Sequence, residues 1–402
     1  MTRVEVEAPS DERPDIGAIP VPRTGSEGGG LKVALVHDWL TNQGGAERVL
    51  WSLHKAFPDA PIYTSVFAPH ALPQFTRAQV RTSFLQRWPF AATRHQLYPV
   101  LRTFAFESFD FSSYDVVISS CSAEAKGIVT RPETPHICYL HTPTRYYWSD
   151  HYRYAKNPGF GPLNPVIRLA MPAFIRHMRM WDLAATARVD AFIANSAFVA
   201  QRVEKYYRRD AVVIHPPIQT HQFSIKEDGP DDFFLIAGRL VPYKHVDLAV
   251  RACRDLDLPL VVAGTGSELP RLRALAGPRT RFTGRVSDEE LAGYYRRARA
   301  LIHCAEEDFG LIPLESMASG RPVIAFNGGG LQETVVEGHT GTFFDRQTVD
   351  SLKDALRRFD GMRFEPEALR HHAARFDEAV FIEKITAFVT ALRRRPAEVP
   401  KA

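Results

Sequence analysis

LKVALVHDWLTNQGGAERVLWSLHKAF, residues 31–57, carries the reading from which the fold class follows. Val33 to Val36 form a continuous apolar run, the mark of a strand buried on both faces, as in parallel sheets. Gly44-Gly45 breaks the chain, and AERVLWSLHKAF then places apolar residues at helical spacing. Strand, glycine turn and helix in that order open a βαβ unit.

The same grammar continues outward. Short apolar runs recur at Asp115–Ser119, His136–Leu140, Ala191–Ala194 and Val212–Ile214, with helical patterns between several of them. After VVIHPPIQTHQF the chain turns polar through SIKEDGPDD, a linker composition. A second series follows, in which FFLIAG, LPLVVAG, TRFTGRV, ARALIHCA, RPVIAF and GTFFD are strands. DLAVRACRDL, SELPRLRALA, DEELAGYYRRA and IPLESMAS are the helices between them. Strand–helix alternation in both halves predicts two doubly wound parallel sheets, with a ligand cleft beyond the carboxyl ends of the strands. The boundaries are a first domain over 31–218, a second over 228–376 and an amphipathic C-terminal helix over 377–395 that packs back on the first. Residues 1–30 are polar, rich in Pro, Gly and acids, and read as a disordered tail without the apolar stretch of a signal peptide.

The chain has 402 residues, 45% hydrophobic and 24% charged, with a net charge of +4, so charge gives no reason to expect nucleic acid. Cys121, Cys138, Cys253 and Cys304 lie far apart without metal-ligand spacing, which predicts reduced, buried thiols in a cytoplasmic protein. No apolar run approaches the roughly 20 residues that span a bilayer.

Four stretches carry chemistry. Gly44 and Gly45 let backbone approach a ligand at a helix N-terminus, where amides and dipole favour anions. Arg239 and Lys244, in AGRLVPYK, follow a strand and are five residues apart, placed to neutralise a diphosphate. GTGSEL at Gly264–Leu269 keeps only the first part of a dinucleotide fingerprint, and no GxxxxGK[ST] occurs. CAEEDFGLIPLESMASGRPVIA, residues 304–325, sets Glu307 on a loop and Glu315 just inside the next helix. Carboxylates there can accept paired hydrogen bonds from vicinal diols of a hexose and a ribose.

The ordered set resembles the retaining GT-B glycosyltransferases of family 4, across nearly everything after residue 31. EDFGLIPLE matches the family's E-x7-E motif, and GRLVPYK, GTGSEL, FTGRVSDEEL, SMASGRPVIA and GGGLQETV follow the family order. VHDWLTNQGGAERVL, YLHTPTRYYW and FIANSAFVAQRV agree in the first half, most closely with the bacterial mannosyltransferase-type branch. The resemblance implies a GT-B fold and roles for single residues. Glu307 holds donor-sugar hydroxyls, Glu315 the ribose, and Arg239 and Lys244 the diphosphate, with Gly44 and Gly45 opposite. Backbone at Arg285 and Val286 meets the base, and Phe309, Gly310 and Leu311 line the donor site. His141 stands near the donor sugar, Asp38 and Arg145 toward acceptor or donor, and His37 and His303 are structural.

Retention in the family implies front-face attack through an oxocarbenium-like transition state. Cofactors are none beyond a nucleotide sugar, GDP-mannose being favoured, and no metal is required. The acceptor is a glycan or lipid-linked oligosaccharide of exopolysaccharide or lipopolysaccharide synthesis. A UDP-sugar donor, a glycosyl phosphorylase and an inactive glycan-binding relative are the alternatives. Arginine–aromatic stretches such as RTSFLQRWPFAATRHQLYPVLRTF and RYYWSDHYRYAKNPGFGP suit an anionic membrane surface. They suit equally a domain with aromatics in the core and solvated arginines. The expected location is cytoplasmic, peripheral on the inner membrane.

Overall fold

The computed structural model describes residues 31–152 and 164–394. The N-terminal tail, residues 153–163 of the second arginine–aromatic stretch and position 395 lie outside the described residues.

The first sheet has seven strands: β1 Val33–His37, β2 Ile62–Thr64, β3 Val80–Thr82, β4 Val116–Cys121, β5 His136–Leu140, β6 Ala191–Ala194 and β7 Ala211–Val213. All pair in parallel in the order β3-β2-β1-β4-β5-β6-β7. Every residue of β1, β4 and β5 is buried, the polar His37, Ser119, Ser120 and His136 included, as in strands covered on both faces. The second sheet has six: β8 Phe234–Ala237, β9 Leu260–Ala263, β10 Thr280–Gly284, β11 Ala300–His303, β12 Val323–Phe326 and β13 Gly341–Phe344. It is also parallel, ordered β10-β9-β8-β11-β12-β13. This is the GT-B arrangement of two Rossmann-like halves.

β2 and β3 were absent from the sequence reading. Each has three residues, IYT and VRT, too few to show a period, and β3 is an edge strand only partly buried. Pairing to β1 makes β2 a strand, with Leu35 opposite Ile62.

Strand order reverses between β1 and β4 in one sheet and between β8 and β11 in the other. Such reversal points leave a crevice at the carboxyl ends of the strands, where ligands bind. The Glu378–Arg394 helix returns to the first half, burying Phe381, Ile385 and Val389 with Leu50, Leu53 and Tyr139. Its first residue, Glu378, accepts from Ser52 at 2.7 Å and Lys55 at 2.6 Å on the Gly45–Ala56 helix.

Candidate active site

The second half contributes the carboxyl ends of β8 and β11. Beyond β8 the chain passes Gly238 and exposed Arg239, then makes a 3-10 turn, Pro242–Lys244. β11 ends at His303, and Glu307 follows on the loop. Lys244 Nζ and Glu307 Oε1 form an ion pair, and His303 Nε2 lies 3.3 Å from the same oxygen. Burial alone would raise the Glu307 pKa; the Lys244 charge and the His303 contact outweigh it and hold the carboxyl well below its usual range. His303, expected to be structural, is a partner of Glu307. Arg239 Nη2 meets Tyr243 Oη at 3.1 Å.

The Glu307 loop is held from behind by the glycine turn before Leu331. Gly330 N donates to Glu307 O at 2.8 Å, and Gly329 bridges to Glu307. Gly310, at φ +94°, caps the Leu311–Ala318 helix in a left-handed conformation that glycine adopts without strain. Glu315 on that helix is 4% exposed. Its Oε1 receives Arg48 Nη1 at 2.5 Å and its Oε2 receives Tyr295 Oη at 2.9 Å. Arg48 belongs to the Gly45–Ala56 helix, so this contact crosses between the halves, and its Nη2 is 3.7 Å from Asp288. Arg285 and Val286 follow β10, the arginine exposed and the valine half-buried. The Phe309 side chain turns into the core: it is 3% exposed, stacked on His215 at 5.2 Å and tilted against Phe376 at 5.7 Å. Its size and apolarity are used in the core. Leu311 stays at the boundary, 3.4 Å from where a Cβ on Gly45 would stand.

Asp38 and Arg145, expected toward acceptor or donor, both have protein partners. Asp38 is 2% exposed, and its carboxylate accepts N–H from Ser122 at 2.6 Å, Ala123 at 3.0 Å and Ala125 at 2.8 Å. It anchors the turn after β4. Arg145 pairs with the Asp308 carboxylate, which also accepts Arg202 Nη1 at 2.7 Å. The neighbouring acid of the EED run captures this arginine. Asp308 O further accepts Ser196 Oγ at 2.5 Å, and Glu333 accepts the amides of Ala197 at 2.8 Å and Phe198 at 3.1 Å. Thus a single loop carries side by side Glu307, paired within its own half, and Asp308, which joins the halves.

His141 follows β5 and is only partly exposed. Its Nε2 is 2.8 Å from Ser120 Oγ, and its carbonyl accepts Asn195 Nδ2 at 2.9 Å. Burial, with His37 nearby, pushes its pKa down to about 3, so the ring is neutral at pH 7. Gly44 and Gly45 stand at the start of their helix; a Cβ at Gly44 would come within 2.8 Å of Glu47 Oε2. The structure therefore gathers Glu307, Lys244 and His303 at one point and Glu315, Arg48 and Tyr295 at another, the second joining the two halves through Arg48. Arg48, Tyr295, Asp308 and Arg202 escaped the sequence reading, because their partners are 20 to 267 residues away.

Comparison with known proteins agrees with this architecture. The family described as "Glycosyl transferases group 1" matches residues 217–374, and "Glycosyltransferase Family 4" matches residues 43–222. An uncharacterised glycosyltransferase of Methanocaldococcus jannaschii is 27% identical over 177 residues, 43% of this chain and 50% of that protein. A GDP-mannose-dependent alpha-mannosyltransferase of Mycolicibacterium smegmatis is 41% identical over 121 residues, 30% of this chain and 31% of that one. The chain spans half the length, or less, of these curated relatives. Among solved structures, Anabaena HepE in complex with UDP shares the fold at TM-score 0.67 and 17% identity, covering 90% of this chain and 100% of its own.

Proposed function

This chain belongs to glycosyltransferase family 4, with the GT-B architecture, and we propose that it is a retaining transferase moving mannose from GDP-mannose to a glycan or lipid-linked acceptor. The observation that carries the proposal is the ionised Glu307, held by Lys244 and His303 at the reversal point of the second sheet. An anionic carboxylate there accepts hydroxyl protons of a hexose. Lys244 has three donors, so it can hold Glu307 and a diphosphate oxygen together. Arg239 adds the second cation, and the Gly45–Ala56 helix start faces the same charge. Each Glu315 oxygen has one protein donor and two lone pairs, which leaves one site per oxygen for a ribose hydroxyl. The leaving diphosphate takes the acceptor proton on the face being attacked, and no divalent cation is assigned a role.

Mannose is favoured because the M. smegmatis relative bears that donor in its name and shares 41% of 121 residues. Calorimetric titration tests it, with GDP, UDP and 2′,3′-dideoxy-GDP, each with and without magnesium. GDP should bind most tightly, independently of magnesium, and lose affinity when its ribose hydroxyls are removed. A preference for UDP would replace the donor, and binding of neither would end the reading of Glu315, Arg239 and Lys244.

A lipid-linked acceptor is supported by one surface. No acid occurs between Asp59 and Glu107, while Arg87 and Arg94 are exposed there beside Phe84, Trp88, Phe90 and Phe104. Phe90 is 70% and Phe104 57% exposed, against a core role for these rings. Among the described residues no helix is long and apolar enough to cross a membrane. Flotation with phosphatidylglycerol vesicles at low salt should capture the protein and lose it in Arg87→Gln/Arg94→Gln.

A further inference from the structure

Behind His141, the first sheet aligns a row of polar groups at its own reversal point. Parallel register sets His37 beside Ser120 on β1 and β4, and Cys121 beside Leu140, the residue before His141. The Ser120 hydroxyl consequently stands between two rings, 2.8 Å from His141 Nε2 and 3.2 Å from His37 Nδ1. The other ring nitrogen of His37, Nε2, is 3.9 Å from Glu47 Oε1. His37 and Glu47 are buried, and Ser120 is 0% exposed.

A serine hydroxyl has one proton and gives one hydrogen bond. Ser120 can therefore donate to only one of the two histidines, and where it does so it accepts N–H from the other. If it donates to His37, His141 carries its proton on Nε2; if it donates to His141, the His141 proton is on Nδ1. The tautomer of His37 selects between these arrangements. At 3.9 Å the Glu47 contact is too long for a hydrogen bond, but in a low-dielectric interior a carboxylate still attracts an N–H dipole and repels a lone pair. The other acid next to His37, Asp38, is engaged by the amides of Ser122, Ala123 and Ala125. The His37 proton thus belongs on Nε2, its Nδ1 accepts from Ser120, and Ser120 accepts from His141 Nε2.

We propose that Glu47, acting through His37 and Ser120, fixes His141 in the tautomer protonated on Nε2, so that its Nδ1 lone pair is offered to a ligand hydroxyl in the cleft. Among the described residues His141 Nδ1 has no hydrogen-bond partner, while its neighbours Thr142 and Arg145 reach Asp308 across the cleft. Glu47, His37 and Ser120 are positioning residues. The tautomer stands on geometry alone; its use toward a sugar hydroxyl rests on the expectation, drawn from the family resemblance, that His141 stands near the donor sugar.

The test is long-range proton–nitrogen correlation NMR of the full chain labelled with 15N-histidine, the rings assigned through His37→Gln and His141→Gln. The expected spectrum shows both His37 and His141 protonated on Nε2. Glu47→Gln removes the charge and offers an amide N–H to His37 Nε2, so the chain should invert and the His141 proton should move to Nδ1. The same variant should lose about tenfold in kcat, the equivalent of one hydrogen bond, with donor KM changing less. In Ser120→Ala the His141 resonances should no longer respond to Glu47→Gln. Nδ1-protonated His141 in the unaltered protein overturns the proposal without any variant, as does a His141 spectrum unmoved by Glu47→Gln. An inverted tautomer with undiminished transfer would keep the relay and refute the sugar contact of His141.

Discussion

At the scale of single residues, Glu307 shows how neighbours set a charge. Both of its protein contacts, Lys244 and His303, fall on Oε1. Burial would push the carboxyl toward its neutral form, and the ammonium and imidazole reverse that. Because its folded pKa is lowered, its contribution to stability is fully present above the unfolded value near 4.3 and is lost as pH falls through the lowered one. Glu307 consequently stays ionised throughout pH 5–8, and no limb of a pH–rate profile in that window should report it. Glu307→Gln keeps the shape and removes the charge. It should lower kcat/KM by about 10- to 100-fold, the range of a charge-assisted hydrogen bond. Steady-state kinetics with near-normal kcat/KM in this variant would remove Glu307 from the site.

Elements meet here through glycines, for a steric reason. A Cβ on Gly330 would stand 2.4 Å from Asp308 O, backbone that has nowhere to go. The GTG of residues 264–266, which resembles a dinucleotide fingerprint, serves packing as well: Cβ atoms there would lie 1.9 Å from Gly238 O and 2.1 Å from Leu240 O. These glycines seat the loop that carries Arg239. Gly293, inside the Asp288–Arg297 helix, has open space around it. The two sites predict opposite signs. Gly330→Ala should destabilise by about 1–3 kcal/mol through overpacking and displace the Glu307 loop. Gly293→Ala should stabilise by about 0.5–1 kcal/mol through helix propensity. Urea unfolding measures both, and equal effects would refute the packing argument.

For the whole molecule, neutral histidines inside the first half make acid a threat. His95 and His141 are pushed down to about 3, as is His136, burial being the leading cause in each. Their folded pKa values lie below the unfolded value near 6.5, so their stabilisation is present above 6.5 and is lost as pH falls toward 3. Each contributes a slope of about 1.4 kcal/mol per pH unit in that window. His95 stacks on Trp39 at 4.4 Å, and among the described residues its buried Nδ1 has no hydrogen-bond partner. His95→Phe should therefore keep the stack and flatten the decline of Tm between pH 6.5 and 4. Scanning calorimetry showing an unchanged slope would sink the assignment. The returning helix matters at the same scale: Ile385 is 0% exposed between the Gly45–Ala56 helix and the sheet. Ile385→Ala should cost about 2–5 kcal/mol, although the residue lies far along the chain from the sheet it covers.

The sequence by itself determined the class of fold, because unbroken apolar runs alternating with helical periods leave a parallel sheet as the way to bury both strand faces. It also marked the loop and helix of Glu307 and Glu315 and the turns at Gly44-Gly45 and Arg239–Lys244, since glycine, proline and charge at strand ends are local signals. It did not carry β2 and β3, whose three-residue runs become strands only by pairing. Nor did it say that Phe309 enters the core, that Asp38 anchors a turn, or that Asp308 takes Arg145 and Arg202. Those outcomes depend on which side chains meet after 20 or 200 residues of intervening chain, and only tertiary packing supplies that distance. The row from Glu47 through His37 and Ser120 to His141 is of the same kind: four ordinary residues brought together by the register of β1, β4 and β5 and by the helix packed on them.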